Sequence, residues 1–285
     1  MPLTAQPLPH HGRDSLLLLT SDGARAQVGL YGAQVTSWQP VPGRERLYLS
    51  PNATWTTGTA IRGGIPVVFP QFGGRGPLAK HGFARLSDWR FLGIDATALG
   101  QPAAVLELSD SADTRRHWPT RFRARLHVAL SASALRVGLE VRNEDTAAAT
   151  FTTALHTYLR VDSLEGTVLE GLERAPYLDS TRGDTPMPAQ GEGIRFNTET
   201  DRIYPDSPHE TVLHGRNGRV RVRMSGFKDT VVWNPGASLA ASMADLGPGE
   251  HEHFVCVEAA TVIEPVTLAS GESWLGWQQL VDESD

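Results

Sequence analysis

His156 and Glu258 are the two side chains in this sequence whose types and settings suit general acid–base catalysis. His156 lies in "FTTALHTYLRV", which predicts a strand with apolar neighbours on both faces. Glu258 lies in "FVCVEAA", where a regular strand places it on the same face as Phe254 and Cys256. Burial among apolar side chains would raise the pKa of this carboxylate and make it a better base. From position alone, two other interpretations stay open: a hydrogen-bonded structural histidine and a strand-end glutamate turned to water.

A second group of candidates lies around a glycine- and proline-rich segment. "IRGGIPVVFPQFGGRGP" is unusually apolar for a loop, and "KHGFARLSDW" follows it with His81 and Arg85. Arg62 and Arg85 flank this segment, and a rigid loop is a good platform for placing side chains. Paired guanidinium groups match the oxygens of a phosphate. The alternative is that these residues lie on the surface and bind nothing.

A metal site is the competing interpretation of a third motif, "HEHF". His251 and His253 have the i, i+2 spacing of metal ligands on one strand face. Glu258 would point to the opposite face of a continuous strand, and the motif also resembles a charged strand entrance. We therefore predict no metal. The remaining histidines are interpreted as structural or solvent-exposed: His10, His11, His117, His127, His209 and His214.

Strand patterns dominate the rest of the chain. Alternating polar and apolar residues predict a hairpin at "RFRARLHVAL" and "ALRVGLEVRN" and further strands at 24–38, 218–226 and 253–263. The strongest helix pattern is "SLAASMADL", and residues 179–193 are the most loop-like. Many short strands with glycine and proline between them predict an all-β protein, a large antiparallel sandwich formed by a single domain over residues 1–285.

Composition narrows the function classes. The 285 residues are 40% hydrophobic, and the net charge of −6 gives no general attraction to nucleic acid or to an anionic membrane. The single cysteine, Cys256, cannot form an internal disulfide, which fits a reducing compartment. No segment near the N-terminus is apolar enough for a signal core or a membrane span. We expect a cytoplasmic protein that binds neither nucleic acid nor membrane.

Taken in order along the chain, several motifs resemble the aldose 1-epimerase superfamily. They are most similar to its glucose-6-phosphate 1-epimerase branch, also called hexose-6-phosphate mutarotases. The resemblance spans roughly residues 32–277 and rests on these motifs: "GAQVTSWQP", "IRGGIPVVFPQFG", "HGFAR", "TALHTYLRV", "DRIYPD", "VVWNP", "MADLG" and "FVCVEAA". The second and third of these are the most specific to the branch. The resemblance implies a twisted β-sandwich of the galactose mutarotase type, with a sugar in a groove on one sheet.

Roles for individual residues follow from the resemblance. His156 matches the catalytic histidine of the family and Glu258 its catalytic carboxylate, with Glu264 as a nearby competitor for the role of base. The resemblance places the substrate contacts at four positions, Arg62, Lys80, Arg85 and Asp201. Lys80 stands where glutamine is common in this branch, which adds a cation beside the sugar or its phosphate.

The implied reaction interconverts the α and β anomers of a hexose 6-phosphate, most simply glucose 6-phosphate. A base removes the proton of the C1 hydroxyl while an acid protonates the ring oxygen, and the ring closes again from the other face. His81 could orient the sugar, and Asp201 could accept hydrogen bonds from its hydroxyls. We expect a monomer that needs no cofactor. The alternatives are a mutarotase of unphosphorylated aldoses and a non-catalytic carbohydrate-binding or sensor protein on the same fold.

Overall fold

Antiparallel strands are the dominant regular structure of the computed structural model, which describes residues 2–216 and 218–283. The helices in these ranges are short: α1 (Thr114–His117), α2 (Gly236–Ala240) and 3-10 helices at Ala84–Leu86, Ser180–Arg182 and Glu250–His253. The strands are β1 (Leu3–Pro7), β2 (Ser15–Thr20), β3 (Arg25–Gly29), β4 (Val35–Gln39), β5 (Val67–Val68), β6 (Arg90–Asp95), β7 (Ala103–Ser109), β8 (Phe122–Leu130), β9 (Ala134–Asn143), β10 (Ala149–Leu155), β11 (Tyr158–Arg160), β12 (Val168–Glu170), β13 (Tyr177–Asp179), β14 (Thr185–Met187), β15 (Thr200–Tyr204), β16 (Glu210–Gly215), β17 (Gly218–Ser225), β18 (Asp229–Asn234), β19 (Phe254–Leu268) and β20 (Ser273–Asp282).

The strands form three sheets. A four-stranded sheet has the order β1-β2-β3-β4. The sheet we name the site sheet has the order β14-β13-β15-β18-β19-β10-β5, and β11 also pairs with β19. The back sheet has the order β12-β16-β17-β20-β9-β8-β7-β6. The predicted all-β fold, a large antiparallel sandwich, is confirmed.

Alternation along the strands explains how the two large sheets pack. Leu155 and Val257 of the site sheet belong to the same buried apolar cluster as Leu126 and Leu139 of the back sheet. Because side chains alternate between the faces of a strand, the neighbours of these core residues point away from the core. On β19 this rule sends Val257 into the core and places Glu258 on the opposite face of the site sheet.

The predicted hairpin is confirmed as β8 and β9, which pair from Phe122 opposite Asn143 to Leu130 opposite Leu135. The predicted strands at 24–38, 218–226 and 253–263 are also present, as β3 with β4, β17 and β19. The period-2 pattern succeeds here because one face of each strand is buried.

Four local predictions are wrong, one of them the unbroken strand at residues 151–161, which is interrupted between β10 and β11. The predicted helix at Ser238–Leu246 is displaced and shorter, since α2 ends at Ala240. Ser50 Oγ donates to the Asp245 carbonyl oxygen at 2.7 Å, so the backbone there bonds outside any helix. The histidines of "HEHF" lie in the 3-10 helix before β19 and not on a strand. The loop-like segment 179–193 contains β14 as well as a 3-10 helix.

Residues 61–72 of the glycine- and proline-rich segment are largely buried, because the chain there passes close to two other stretches of backbone, whereas residues 74–77 are exposed. Gly63 has φ +111°, and a Cβ there would lie 2.4 Å from the Tyr48 carbonyl oxygen. Gly64 has φ +62°, and a Cβ there would lie 2.2 Å from the Val35 carbonyl oxygen. Only glycine fits both requirements. The segment then forms β5, which pairs with β10 directly before His156.

Candidate active site

His156 and Glu258 face each other on the outer surface of the site sheet. The exposed fraction of the side chain is 9% for His156 and 1% for Glu258, and His156 Nδ1 lies 3.3 Å from Glu258 Oε1. The two groups are not aligned for a hydrogen bond. His156 Nδ1 and Glu258 Oε2 are both buried without a hydrogen-bond partner among the described residues. Buried polar atoms are normally bonded, so this pair is arranged for a partner that is not part of the chain.

Burial shifts the pKa values of the two groups in opposite directions. It lowers the pKa of His156, and the nearby His81, Arg85 and Arg62 lower it further. It raises the pKa of Glu258 well above its usual range, with Asp201 adding to the effect while Arg85 opposes it. Both shifts disfavour charge, so the pair holds a single proton between a carboxylate and an imidazole. Whether Glu258 or His156 carries that proton, the pair contains one acid and one base.

Aromatic contacts fix the imidazole of His156. Tyr158 stacks on it with ring centroids 4.8 Å apart and planes 9° apart. His81 and Trp233 meet it edge-on, at 5.6 and 5.9 Å. The His156 amide donates to the Pro66 carbonyl oxygen at 3.0 Å, which ties the backbone to the glycine- and proline-rich segment.

His81 is held as a neutral hydrogen-bond donor. Its φ of +68° lies in the left-handed region, and its amide donates to the Gly73 carbonyl oxygen at 2.9 Å. Nδ1 accepts from the Gly73 amide at 3.3 Å, so the ring proton is on Nε2. Burial, followed by Arg85, Lys80 and Arg62, lowers the pKa of His81 to about 3.

The two arginines that flank the segment have different surroundings. Arg62 is already ion-paired, with Nη2 3.0 Å from Asp245 Oδ2, and its Nη1 donates to the Tyr158 hydroxyl at 2.9 Å. Arg85 Nη2 donates to the Lys80 carbonyl oxygen at 3.0 Å, and its Nε is buried without a partner among the described residues. Burial lowers the pKa of Arg85, which has no carboxylate in salt-bridge contact in the part of the chain that the structure describes. The guanidinium available to an anion is therefore that of Arg85.

Asp201 lies on β15 directly opposite Trp233 of β18. Burial raises the pKa of Asp201 to about 6, while the nearby Lys80 ammonium opposes the shift. No hydrogen bond involves its carboxylate within residues 2–216 and 218–283, which leaves the group available to a ligand. Lys80 itself is exposed at the rim.

All seven predicted site residues line one cavity of about 540 Å³: Arg62, Lys80, His81, Arg85, His156, Asp201 and Glu258. The lining residues that sequence reasoning missed include Trp233, Leu239, Met243 and Asp184. Trp233 and Met243 belong to the motifs "VVWNP" and "MADLG", and these motifs are the sequence feature that could have indicated them. Arg75 pairs with Asp184 at 2.5 Å and links the glycine-rich loop to the segment after β13.

The residues of two competing interpretations, Glu264 as the base and the histidines of "HEHF" as metal ligands, have different surroundings. Glu264 lies outside the cavity and pairs with Lys228 Nζ at 2.5 Å, and its pKa is lowered by that contact. His253 Nδ1 lies 2.9 Å from the Asp162 carbonyl oxygen. In residues 2–216 and 218–283, no group of three or more His, Cys, Asp or Glu side chains is placed to hold a metal ion. Over the same residues, no helix is long and apolar enough to cross a membrane.

The sandwich and its groove define a carbohydrate epimerase fold, and comparison with known proteins identifies the family. Residues 15–281 match the family model described as aldose 1-epimerase. The chain belongs to the aldose 1-epimerase family. It is 37% identical, over 93% of its length and 83% of the relative, to a protein of Cenchrus ciliaris named "Putative glucose-6-phosphate 1-epimerase".

Two further relatives agree with this assignment. An Escherichia coli protein of the same name is 32% identical over 87% of this chain and 84% of its own. A crystal structure from Salmonella typhimurium described as a "putative mutarotase" superposes with a TM-score of 0.87 at 27% identity, covering 99% of this chain and 94% of the other.

Proposed function

We propose that the protein is a hexose-6-phosphate mutarotase that interconverts the α and β anomers of glucose 6-phosphate or a close analogue. The single observation that carries the proposal is the buried His156–Glu258 pair, 3.3 Å apart and opening into a cavity that also holds Arg85. Binding alone would need no acid–base pair, so the arrangement favours an enzyme over a sugar sensor.

Ring opening requires one proton to leave the C1 hydroxyl and another to reach the ring oxygen. Transfer of the pair's single proton from the Glu258 carboxyl group to the His156 imidazole gives a carboxylate and an imidazolium, which then act as base and acid. The roles reverse during closure, when the carboxyl group returns its proton and the imidazole takes one. The Nε2–H of His81 can donate to an oxygen that gains charge as the ring opens.

The phosphate is bound in this proposal by Arg85, with Lys80 at the rim. Arg85 carries a buried charge without a salt bridge among the described residues, so a phosphate oxygen would supply its missing partner. Arg62 holds Asp245 and Tyr158 and therefore contributes structure more than phosphate affinity. A monomeric enzyme in the cytoplasm is part of the same proposal, and the free, buried Cys256 fits the reducing compartment.

An unphosphorylated aldose is the second candidate substrate. The observation in its favour is that Arg62 and Arg75 are already ion-paired, which leaves fewer cations for a phosphate than the sequence suggested. Enzyme-coupled assays on freshly dissolved α-glucose 6-phosphate and α-glucose separate the two. We expect kcat/KM to be on the order of 10–100-fold higher for the phosphorylated sugar, the value of one charge-assisted hydrogen bond. Equal values would leave an ordinary aldose mutarotase, and activity on neither sugar would contradict the proposal.

A further inference from the structure

The ladder between the two strands that carry the acid–base pair is interrupted at the pair. β10 pairs with β19 up to Leu155 opposite Ala259, and β11 resumes the same register at Tyr158 opposite Cys256. In this register His156 stands opposite Glu258 and Thr157 stands opposite Val257. The predicted single strand over residues 151–161 is therefore wrong at these two residues.

One backbone hydrogen bond is missing from this gap. In a regular antiparallel ladder Thr157 and Val257 would exchange two N–H···O bonds. Val257 N donates to the Thr157 carbonyl oxygen at 3.0 Å, but Thr157 N donates to the Leu155 carbonyl oxygen at 2.9 Å instead. Because the Thr157 amide turns away from β19, the Val257 carbonyl lacks the N–H donor that a regular ladder would supply.

A side chain from the opposite sheet replaces the missing donor. Gln278 of β20 is 2% exposed and lies in the core between the sheets. Its Nε2 donates to the Val257 carbonyl oxygen at 2.9 Å, and its Oε1 accepts from the Thr157 hydroxyl. One amide thus bonds the residue after His156 and the residue before Glu258.

We propose that Gln278 is a positioning residue, which stabilises the interrupted ladder so that His156 and Glu258 meet across it. A buried amide in an apolar core is unfavourable unless it is hydrogen-bonded, and Gln278 donates to the one carbonyl that the ladder leaves unpaired while its oxygen accepts from the Thr157 hydroxyl. Catalytic geometry depends on such supporting contacts, because a displacement of about 1 Å can reduce a rate by about 10²-fold. The inference deepens the proposed function and rests on it for its kinetic readout.

Gln278→Met, which keeps the volume and removes both hydrogen bonds, is the principal test. We expect kcat for glucose 6-phosphate to fall by about 10–100-fold with KM nearly unchanged, since the cavity wall is untouched. Gln279→Met is the matched control, because Gln279 points to the other face of β20 and its Oε1 accepts from Arg136. An unchanged kcat in folded Gln278→Met, or an equal loss in Gln279→Met, would overturn the proposal.

Thr157 provides a second test that leaves Gln278 in place, in case Gln278→Met does not fold. Thr157→Val should lower kcat by a smaller factor, and Thr157→Ser, which keeps the hydroxyl, should restore it. A failure of Thr157→Ser to restore activity lost in Thr157→Val would contradict the role of this bond.

A readout independent of activity separates this inference from the proposed function. The imidazole nitrogen and carbon resonances of His156, assigned with His156→Asn and followed by NMR from pH 5 to 9, should shift in Gln278→Met and not in Gln279→Met. Unchanged resonances would overturn the positioning role even if the enzyme is active. A shift in a protein without mutarotase activity would support the positioning role and reject the proposed function.

Discussion

Two His–Glu pairs with nearly the same separation lie on the outer faces of the two large sheets. His156 and Glu258 are 3.3 Å apart on the site sheet, and His127 and Glu140 are 3.2 Å apart on the back sheet. Glu258 is fully buried, and burial raises its pKa. The Glu140 side chain is 30% exposed, and the pKa of Glu140 is lowered by its contact with His127.

The contrast shows that the distance between two groups does not define a catalytic site. Glu140 has a bonded partner in His127 and nearby cations in Arg125 and Arg123, which stabilise its negative charge. In the site-sheet pair, His156 Nδ1 and Glu258 Oε2 have no hydrogen-bond partner among the described residues, and the cavity beside them contains a second histidine and an arginine. Both pairs line a cavity, so burial and missing hydrogen-bond partners are what distinguish the reactive pair from the structural one.

The largest expected effect is the loss of the carboxylate. Glu258→Gln should lower kcat/KM for glucose 6-phosphate by about 10²–10⁴-fold, the usual contribution of a positioned general base. Glu140→Gln and Glu264→Gln should change it by less than about twofold, since surface substitutions rarely affect a distant site. A coupled assay on all three variants decides the assignment. If Glu264→Gln abolishes turnover while Glu258→Gln does not, the base is wrongly assigned.

Removal of the imidazole should have the next largest effect. His156→Asn should lower kcat by at least about 10²-fold while glucose 6-phosphate still binds, because the lost contact matters chiefly in the transition state. Calorimetric titration of the variant measures binding, and His127→Asn serves as the control from the back sheet. Loss of binding in parallel with turnover would make His156 a binding residue.

Substitution of the two arginines should have a smaller effect than substitution of Glu258 or His156. Arg85→Ala should reduce the preference for glucose 6-phosphate over glucose by about 10–10²-fold, the value of a charge-assisted hydrogen bond. Arg62→Ala should lower turnover of both sugars alike, because Arg62 orders Asp245 and Tyr158. Arg85→Lys, which keeps the charge, should retain part of the preference. A greater loss of preference in Arg62→Ala than in Arg85→Ala would reverse the two roles.

The smallest effect is a difference in how pH affects stability. The pKa of Asp201 rises from 3.8 to about 6 on folding, so the folded state binds the extra proton and loses stability as pH rises through that interval. The pKa of Glu140 is lowered on folding, so its contribution is present above its unfolded pKa and is lost as pH falls through the folded pKa. Over about pH 3 to 6 and relative to wild type, Asp201→Asn should therefore gain stability between about pH 4 and 6, whereas Glu140→Gln should lose stability as pH rises toward 4.5 and stay level above it. Urea unfolding across this range measures both, and slopes of the same sign would contradict the assignment.

Much of this arrangement could be predicted from the sequence because it depends on local alternation. The period-2 pattern of β19 places Glu258 on the face opposite Val257, and it correctly separates that face from the core. Arg62 and Arg85 could be located because they flank the glycine- and proline-rich segment, whereas Lys80 could be assigned only through the family resemblance. Asp201 required the family resemblance, since a lone aspartate in a short strand has no distinguishing pattern.

The remaining features depend on contacts between distant parts of the chain. The interruption at His156 and Thr157 is stabilised by Gln278 on another sheet, and no pattern within residues 151–161 indicates it. Likewise, the ion pair of Arg62 with Asp245 forms only when the segment after α2 folds over the groove. Which arginine is available for a phosphate could therefore be decided only from the structure.

The most direct test of the account is the rate of anomer exchange in glucose 6-phosphate at equilibrium. Two-dimensional proton exchange NMR measures the interconversion of the α and β C1 protons without a coupling enzyme and separates it from the spontaneous reaction. We predict that catalytic amounts of the wild-type protein accelerate exchange, that Glu140→Gln does so equally, and that Glu258→Gln does not exceed the spontaneous rate by more than a small fraction of the wild-type effect. Wild-type exchange at the spontaneous rate, or full acceleration by Glu258→Gln, would contradict the claim that the buried pair opens the sugar ring.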